Sequence, residues 1–298
     1  MTCSIAFGMY QSNAPWSWGE ISSVEGQINR HSAIVHWYSQ WGNQSGVFNP
    51  TVIGRLNATR GRASTPMITW EPWDTYPITN NPYPLSQVAA GAFDTYIDSW
   101  ASGMAAYGHP VLLAFAQEMN GNWYPWGDTV NGSTPAAYIA AARHIHDRFM
   151  LRGAHNVQWV FDPDGDMYGS FPNLQLFYPG DAYVDWLGVD VYNSGTTHSW
   201  SSWQQLSSVL RLAYARLTAL NALKPVMLAE WASVEQGGSK AQWILNAAAA
   251  LPAQFPRVRA AVWFSQDKSQ LALTSSAAAL SAARTAFGSA PFCSTLPY

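Results

Sequence analysis

Three consecutive segments decide the fold: PVLLAFAQE (110–118), TPAAYIAAARHIHDRFMLRG (134–153) and VQWVFD (157–162). The first and third are short and almost continuously apolar, which is typical of parallel strands buried on both faces. The second has a Thr-Pro pair where a helix would begin and a glycine where it would end. A strand, a helix and another strand in this order predict a βαβ unit.

The same alternation continues along the chain and gives eight strand candidates and seven helix candidates. Eight such units fit a single (β/α)8 TIM barrel better than a doubly wound sheet, and no G-x-G-x-x-G follows the first strand. No linker divides the chain, so we expect residues 1–298 to form one domain. The strand candidates are 4–9, 33–38, 66–71, 110–118, 157–162, 184–192, 225–230 and 258–264. The helix candidates are 18–29, 49–61, 85–108, 134–153, 201–221, 239–252 and 275–288, with Ser239 and Ser275 as further N-caps.

The composition excludes several classes of protein. Charged residues make up 11% of the 298 residues, against about 25% in an average domain, and 48% are hydrophobic. These values argue against disorder. A net charge of -3 with 15 Lys and Arg argues against nucleic-acid binding, and no apolar run reaches the ~18–20 residues of a membrane helix. The 16 tryptophans indicate a surface for flat apolar faces, such as those of sugar rings or aromatic ligands.

The chain has two cysteines, Cys3 and Cys293, one near each end. Two cysteines are too few for a clustered metal site, and we expect neither a metal nor a cofactor. Because the ends of a domain often lie close together, one disulfide between them is expected; two free thiols are the alternative. A disulfide indicates an oxidising compartment, so we expect a secreted monomer whose export signal is absent from this chain.

In a barrel, the functional residues lie at the carboxyl ends of the strands and in the loops that follow. Here those ends are unusually polar and aromatic, which a purely structural barrel does not require. The residues at these ends are His36, Glu71, Glu118, Asp162, Asp190, Tyr192, Glu230 and Trp263.

Two of these residues, Glu118 and Glu230, end apolar strands four and seven by our count. Burying an unpaired carboxylate is costly, so such a residue is rarely present for packing. Retaining glycosidases use two carboxyl groups about 5–5.5 Å apart, one as acid/base and one as nucleophile. The alternative is a pair of salt-bridged structural acids, but few Lys or Arg lie near them in sequence.

The segment LLAFAQEMNGNWYPWG (112–127), taken with VMLAEWA (226–232), resembles glycoside hydrolase family 26 over nearly the whole chain. That family includes β-mannanases, mixed-linkage β-glucanases and β-1,3-xylanases. The resemblance implies a retaining endo-β-glycanase with Glu118 as acid/base and Glu230 as nucleophile. It also implies that Tyr192 orients Glu230, that Trp123 lies beside the acid/base, and that Trp263 forms the floor under the sugar at the cleavage point.

Gln117 departs from this resemblance, because family members commonly have a histidine immediately before the acid/base. The sequence MNGNWYPWG (119–127) resembles the glucanase-like branch of the family more than the mannanase-like branch. A mixed-linkage β-1,3-1,4-glucan or a β-mannan is therefore the expected polysaccharide partner. Two alternatives stay open: a non-catalytic carbohydrate-binding barrel and a transglycosylase. The residues expected to bind substrate are His36, Trp70, Glu71, Gln117, Asn120, Trp123, Trp126, Asp162, Asp190, Trp231 and Trp263.

Overall fold

The computed structural model describes residues 3–51, 53–54, 64–74, 77–165, 173–266 and 270–296. Eight parallel strands, β1 to β8, pair in chain order, and β1 pairs with both β2 and β8, which closes the barrel. A ninth strand of two residues, β9 (Phe292–Cys293), pairs with the start of β1. The barrel strands are Ile5–Tyr10, Ile34–Gln40, Thr65–Glu71, Val111–Phe115, Val157–Phe161, Trp186–Asn193, Val226–Ser233 and Val258–Phe264. All eight predicted strands and the barrel class are thereby confirmed.

Helices connect the strands and cover the outside of the barrel. The predicted helix at 85–108 is two helices, because Gly91 adopts a φ of +83° between them. The predicted helix at 49–61 lies largely outside the described residues. The connection between β5 and β6 contains only short 3-10 turns among its described residues, as the absence of a helical pattern indicated. The described α-helices, α1 to α7, are Gly19–Ile28, Leu85–Ala89, Asp94–Tyr107, Pro135–Leu151, Leu206–Leu220, Lys240–Gln254 and Ala277–Phe287.

The helix boundaries follow local capping chemistry. The Thr134 hydroxyl accepts a hydrogen bond from the amide of Ala137, and Pro135 occupies the first helical position of α4. Ser239 caps α6 as expected. The cap of α7 is Ser276, not Ser275, because the Ser276 hydroxyl accepts the hydrogen bond from the amide of Ala279.

The side chains of each strand alternate between the barrel interior and the layer under the helices. Inside, small and medium residues such as Ala6, Ala114 and Val262 fill the space. Close packing at this level requires glycine at position 8, where a Cβ would lie 2.9 Å from the Cβ of Ile34. The larger aromatic residues pack in the outer layer, so a tryptophan on a strand is often far from the barrel mouth.

The two chain ends meet at the amino-terminal end of the barrel. Cys3 and Cys293 form a disulfide with a Cα–Cα distance of 5.4 Å, which confirms the predicted bond. Register pairs Ile5 with Phe292 and Ala6 with Cys293, so the bond reinforces the pairing of β9 with β1. Within the described ranges, no helix has the length and apolarity needed to cross a bilayer.

Candidate active site

Glu230 lies in the carboxyl-terminal half of β7, beside Asp190 of β6. Two tyrosines hold its carboxyl group: the hydroxyl of Tyr38 donates to Oε1 and the hydroxyl of Tyr192 donates to Oε2. Burial raises the pKa of Glu230 to about 7, and both tyrosine hydrogen bonds act against that rise because they stabilise the carboxylate. The carboxyl group is therefore fixed in orientation from two opposite strands.

Strand β4 ends at Phe115, and Glu118 lies in the turn that follows it. The prediction that Glu118 is the last residue of the strand is therefore wrong. Ala116 and Glu118 adopt left-handed backbone with φ of +49° and +51°. Such a conformation costs roughly 1 kcal/mol or more for a non-glycine residue and is concentrated at functional sites. Two hydrogen bonds hold the turn, from the Ala116 amide to the Trp70 carbonyl (3.1 Å) and from the Glu118 amide to the Asp162 carbonyl (2.7 Å).

The carboxyl group of Glu118 is only partly exposed and accepts a 2.6 Å hydrogen bond from the indole Nε1 of Trp123. Burial raises the pKa of Glu118 well above its usual range, and the negative charges of Asp164 and Glu230 raise it further. The Trp123 hydrogen bond opposes this rise without cancelling it. Glu118 is thus the carboxyl group of this pair that keeps its proton to higher pH.

Two more carboxyl groups lie buried beside the glutamates: that of Asp162, directly after β5, and that of Asp190, on β6. Burial raises the pKa of both well above the usual range; the charge of Glu230 raises that of Asp162, and the charges of Asp162 and Glu230 raise that of Asp190. Glycine at position 188 leaves the space that Asp162 occupies, because a Cβ there would lie 2.9 Å from Asp162 Oδ1. Their side chains are 1% and 2% exposed, which places them under the site rather than at its surface.

Glu71 ends β3 and accepts a 2.9 Å hydrogen bond from Nε2 of Gln117. Burial raises the pKa of Glu71 to about 7. The hydrogen-bond donor from Gln117 is a neutral amide and not a cation, so it does not offset the charge of an ionised Glu71. Asn120 is also buried, and its side chain bonds both the amide and the carbonyl of Asp164 (2.9 and 3.0 Å), so it braces the turn.

His36 is completely buried in the barrel, and its Nε2 lies 2.8 Å from the hydroxyl of Thr69. Burial lowers the pKa of the imidazole to about 3, so it is neutral at physiological pH. Its ring packs against Tyr10 and Tyr38 at 5.5 and 5.0 Å. The expectation that His36 contacts substrate is corrected: it supports Tyr38 from below.

Several tryptophans expected to contact substrate lie elsewhere. Trp70, Trp231 and Trp263 have no exposed surface and pack in the outer layer, because they stand on the face of their strands opposite to the barrel interior. Trp126 is also buried, stacks on Tyr124 at 4.6 Å and donates to the carbonyl of Gln117. None of these four side chains can touch a ligand in this conformation.

The aromatic residue beside the Glu230 tyrosines is Phe264, not Trp263. Phe264 is partly exposed, stacks on Tyr10 with ring centroids 4.4 Å apart, and meets Tyr192 edge to face at 5.8 Å. Sequence reasoning missed Tyr10, Tyr38 and Phe264. The alternation of side chains along a strand could have identified Tyr38, because it follows His36 by two positions and therefore lies on the same face of β2.

The structure therefore gathers most of the predicted polar residues at one end of the barrel, around two glutamates in different environments. Within the described part of the chain, no group of three or more His, Cys, Asp or Glu is placed to hold a metal ion. The two glutamates differ in their hydrogen-bond donors: two tyrosine hydroxyls for Glu230 and one indole for Glu118. The residues brought together are Glu71, Gln117, Glu118, Asn120, Trp123, Asp162, Asp190, Tyr192 and Glu230.

Known proteins with related sequences and structures place this chain in a family. The chain is 39% identical over 272 residues to Endoglucanase H of Acetivibrio thermocellus, covering 90% of this chain and 29% of that protein. It is 30% identical over 175 residues to a mannan endo-1,4-beta-mannosidase of Bacillus subtilis, covering 55% of this chain and 43% of that protein. The aligned segments thus cover less than half the length of each of these two relatives.

A solved structure of a GH26 beta-mannanase from Bacteroides ovatus shares the fold, with a TM-score of 0.72, 19% identity, and coverage of 97% of this chain and 90% of that chain. The family model for glycosyl hydrolase family 26 matches residues 8–255. This match covers most of the barrel and includes both glutamates, and the chain belongs to glycosyl hydrolase family 26.

Proposed function

We propose that this chain is a retaining endo-β-glycanase that hydrolyses a β-linked polysaccharide by double displacement, with Glu230 as nucleophile and Glu118 as acid/base. One observation carries the proposal: Glu230 is held by two tyrosine donors while Glu118 has one indole donor and the more strongly raised pKa. The two carboxyl groups are thereby separated into an ionised and a protonated role.

In the first step, the carboxylate of Glu230 attacks the anomeric carbon, and Glu118 gives its proton to the glycosidic oxygen. The bond to that oxygen breaks, the leaving sugar departs with a hydroxyl group, and a glycosyl ester on Glu230 remains. In the second step, Glu118 removes a proton from water, the water oxygen attacks the anomeric carbon, and Glu230 is released as a carboxylate.

The surrounding residues fit these roles. Tyr38 and Tyr192 orient Glu230 and favour its ionised form, because both hydroxyl groups donate to it. Loss of the negative charge of Glu230 in the glycosyl ester removes one cause of the raised pKa of Glu118. Glu118 then releases its proton more readily, which suits its second role as a base.

The preferred substrate in this proposal is a mixed-linkage β-1,3-1,4-glucan, with β-mannan as the alternative. The more extensive of the two curated matches described above is an endoglucanase and the other is a mannosidase. We further propose that residues 1–298 form one catalytic domain that acts as a monomer outside the cell, which the disulfide between Cys3 and Cys293 supports.

The test is to incubate the protein with lichenan, mannan, laminarin, β-1,3-xylan and cellulose and to size the products. Short oligosaccharides from lichenan alone support the glucanase proposal, and products from mannan alone support the alternative. When an oligosaccharide of the cleaved polymer is then used as the substrate, products longer than that oligosaccharide would indicate transglycosylation. If the protein releases nothing from any of them, the hydrolase proposal is contradicted.

A further inference from the structure

A cavity of about 440 Å³ lies beside Tyr192, between the loops that follow β6, β7 and β8. Tyr192 lines it on one side and donates to Glu230 on the other, so the cavity adjoins the pair of glutamates. A volume of this size is in the range of sites that take small organic ligands. Other lining residues are Ser194, Thr197, His198, Val234 and Gln270.

One lining residue of this cavity, His198, belongs to an aromatic pair. The rings of His198 and Trp200 are stacked, with centroids 4.8 Å apart and planes 4° from parallel. Trp200 is 66% exposed, which is unusual for so large an apolar side chain. Because its ring already rests on His198, the orientation of the indole is fixed before any ligand arrives.

The loop that carries this aromatic pair is tightly held. Oδ1 of Asn193 accepts hydrogen bonds from the amides of Gly195 (3.2 Å) and Gln204 (2.9 Å), at the two ends of the loop. Thr196 and Gln236 exchange two hydrogen bonds of 3.2 and 3.3 Å. Gly195 is required in this contact, because a Cβ there would lie 1.9 Å from the carbonyl oxygen of Gln236. The loop is thus fixed to the one after β7.

The chemistry of the cavity selects a neutral polyol. Among the described residues that line it, none is Asp, Glu, Lys or Arg, and the polar groups are hydroxyls, an amide and an imidazole. Such groups satisfy sugar hydroxyls, while an exposed indole face suits the apolar face of a pyranose ring. A uronic acid or a sulfated sugar would find no Lys or Arg among the described lining residues.

We propose that this cavity and the His198–Trp200 pair form a binding subsite for uncharged sugar units of the polysaccharide, beyond the units that contact the two glutamates. The inference rests on the proposed function and adds a location for the distal part of the substrate. The subsite contributes binding and not chemistry, because His198 and Trp200 stack on each other while Tyr192 is the cavity residue that contacts Glu230.

The test compares Trp200→Ala and His198→Ala with the unaltered protein on barley mixed-linkage β-glucan and on mannan, using whichever the unaltered protein cleaves. We expect KM for the polymer to rise about five- to tenfold in Trp200→Ala, the loss of one stacking contact, with kcat unchanged. The rate on the shortest oligosaccharide that is cleaved stays the same. Trp200→Phe keeps most of the affinity. Leu223→Ala, a substitution at a 91% exposed residue between α5 and β7, is the matched control.

A second readout does not need turnover: migration in native gels that contain the same polysaccharide. Retardation that weakens in Trp200→Ala and persists in Leu223→Ala supports the subsite. Unchanged KM and unchanged retardation in Trp200→Ala, with hydrolysis intact, overturn the subsite and leave the proposed function standing. A fall in kcat with constant KM also overturns it. If the unaltered protein neither cleaves nor is retarded, the proposed function fails together with the subsite.

Discussion

The indole Nε1 of Trp123 donates a 2.6 Å hydrogen bond to Oε2 of Glu118. The ring of Trp123 lies against Gly121, where a Cβ would be 2.5 Å from the indole, so only glycine allows this arrangement. Because the indole is purely a donor, it engages one carboxyl oxygen and leaves Oε1 as the oxygen that carries the proton. The acid thus presents its proton in a fixed direction.

Glu118→Gln keeps an acceptor for Trp123 and removes the transferable proton. We expect kcat on the cleaved polysaccharide to fall by about 10²–10⁴-fold, the usual contribution of general acid–base catalysis, without loss of folding. An aryl glycoside with an acidic phenol should lose less, since its leaving group needs no proton. Glu230→Gln should abolish hydrolysis of both substrates.

The control for these two variants is Asp147→Asn, which alters a carboxylate on α4 whose side chain is 63% exposed. Steady-state kinetics and circular dichroism on all three variants make the comparison. Near-normal turnover by Glu118→Gln or Glu230→Gln, with Asp147→Asn also normal, would remove both glutamates from the proposed mechanism.

The pH dependence of kcat/KM should reflect the hydrogen bonds that Tyr38 and Tyr192 donate to Glu230. Both hydroxyl groups lower the pKa of Glu230 by donating to its carboxylate. Removing either donor in Tyr38→Phe or Tyr192→Phe therefore raises that pKa. Glu230 is then protonated, and inactive as a nucleophile, at a higher pH than in the unaltered protein. We expect the acidic limb of kcat/KM to move to higher pH by about one to two units, since a hydrogen bond to a charged group contributes about 1.5–3 kcal/mol.

Tyr178→Phe provides the matched control, because its hydroxyl donates to Asp181 (2.7 Å) on an exposed segment before β6. Its profile should match that of the unaltered protein. An acidic limb that stays in place, or moves to lower pH, in both Tyr38→Phe and Tyr192→Phe would show that these hydroxyls do not govern the ionisation that limits activity.

The sequence predicted the barrel well because buried parallel strands are distinctive runs of apolar residues. The family resemblance implied that Tyr192 orients Glu230, and the structure has a hydrogen bond between them. The catalytic roles of Glu118 and Glu230 stay predictions. The sequence failed to predict some of the neighbouring positions. It failed where a single residue decides the face: in β8, Trp263 points outward to the helices and Phe264 points to the mouth. A shift of one residue along a strand exchanges the two faces, and residue type alone does not fix that register. The left-handed turn at Glu118 also depends on contacts from other strands, to Trp70 and Asp162.

Because Trp263 and Phe264 lie on opposite faces of β8, substitutions of these two residues should affect different properties of the protein. Trp263→Phe removes the 2.8 Å hydrogen bond from Nε1 to the carbonyl of Leu271 and leaves a small void. We expect the free energy of unfolding to fall by about 1–3 kcal/mol while KM is unchanged. Phe264→Ala should raise KM, because Phe264 stacks on Tyr10 beside Tyr192 at the mouth. Urea titration and kinetics separate the two, and a raised KM in Trp263→Phe alone would contradict the placement.

Glu71 should make the protein less stable as the pH rises. Its folded pKa of about 7 lies above the usual 4.5. The unfolded chain therefore releases the proton first, and stability is lost between about pH 4.5 and 7. Glu71→Gln keeps an acceptor for Gln117 and removes this loss, on the order of 3 kcal/mol at most. Urea unfolding at pH 4.5 and pH 8 should show a smaller difference in Glu71→Gln than in the unaltered protein. An equal difference would mean that Glu71 is ionised in the folded state throughout.

The disulfide should contribute to stability without affecting catalysis. It joins residues 290 positions apart at the amino-terminal end of the barrel, opposite to the glutamates. Closing so long a loop restricts the unfolded chain, and loss of a native bridge commonly costs about 2–5 kcal/mol. We expect a Cys3→Ala, Cys293→Ala double variant to melt at a lower temperature and to keep its kcat at 25 °C. Reductant should lower the melting temperature of the unaltered protein only, so an equal response in the double variant would contradict this role.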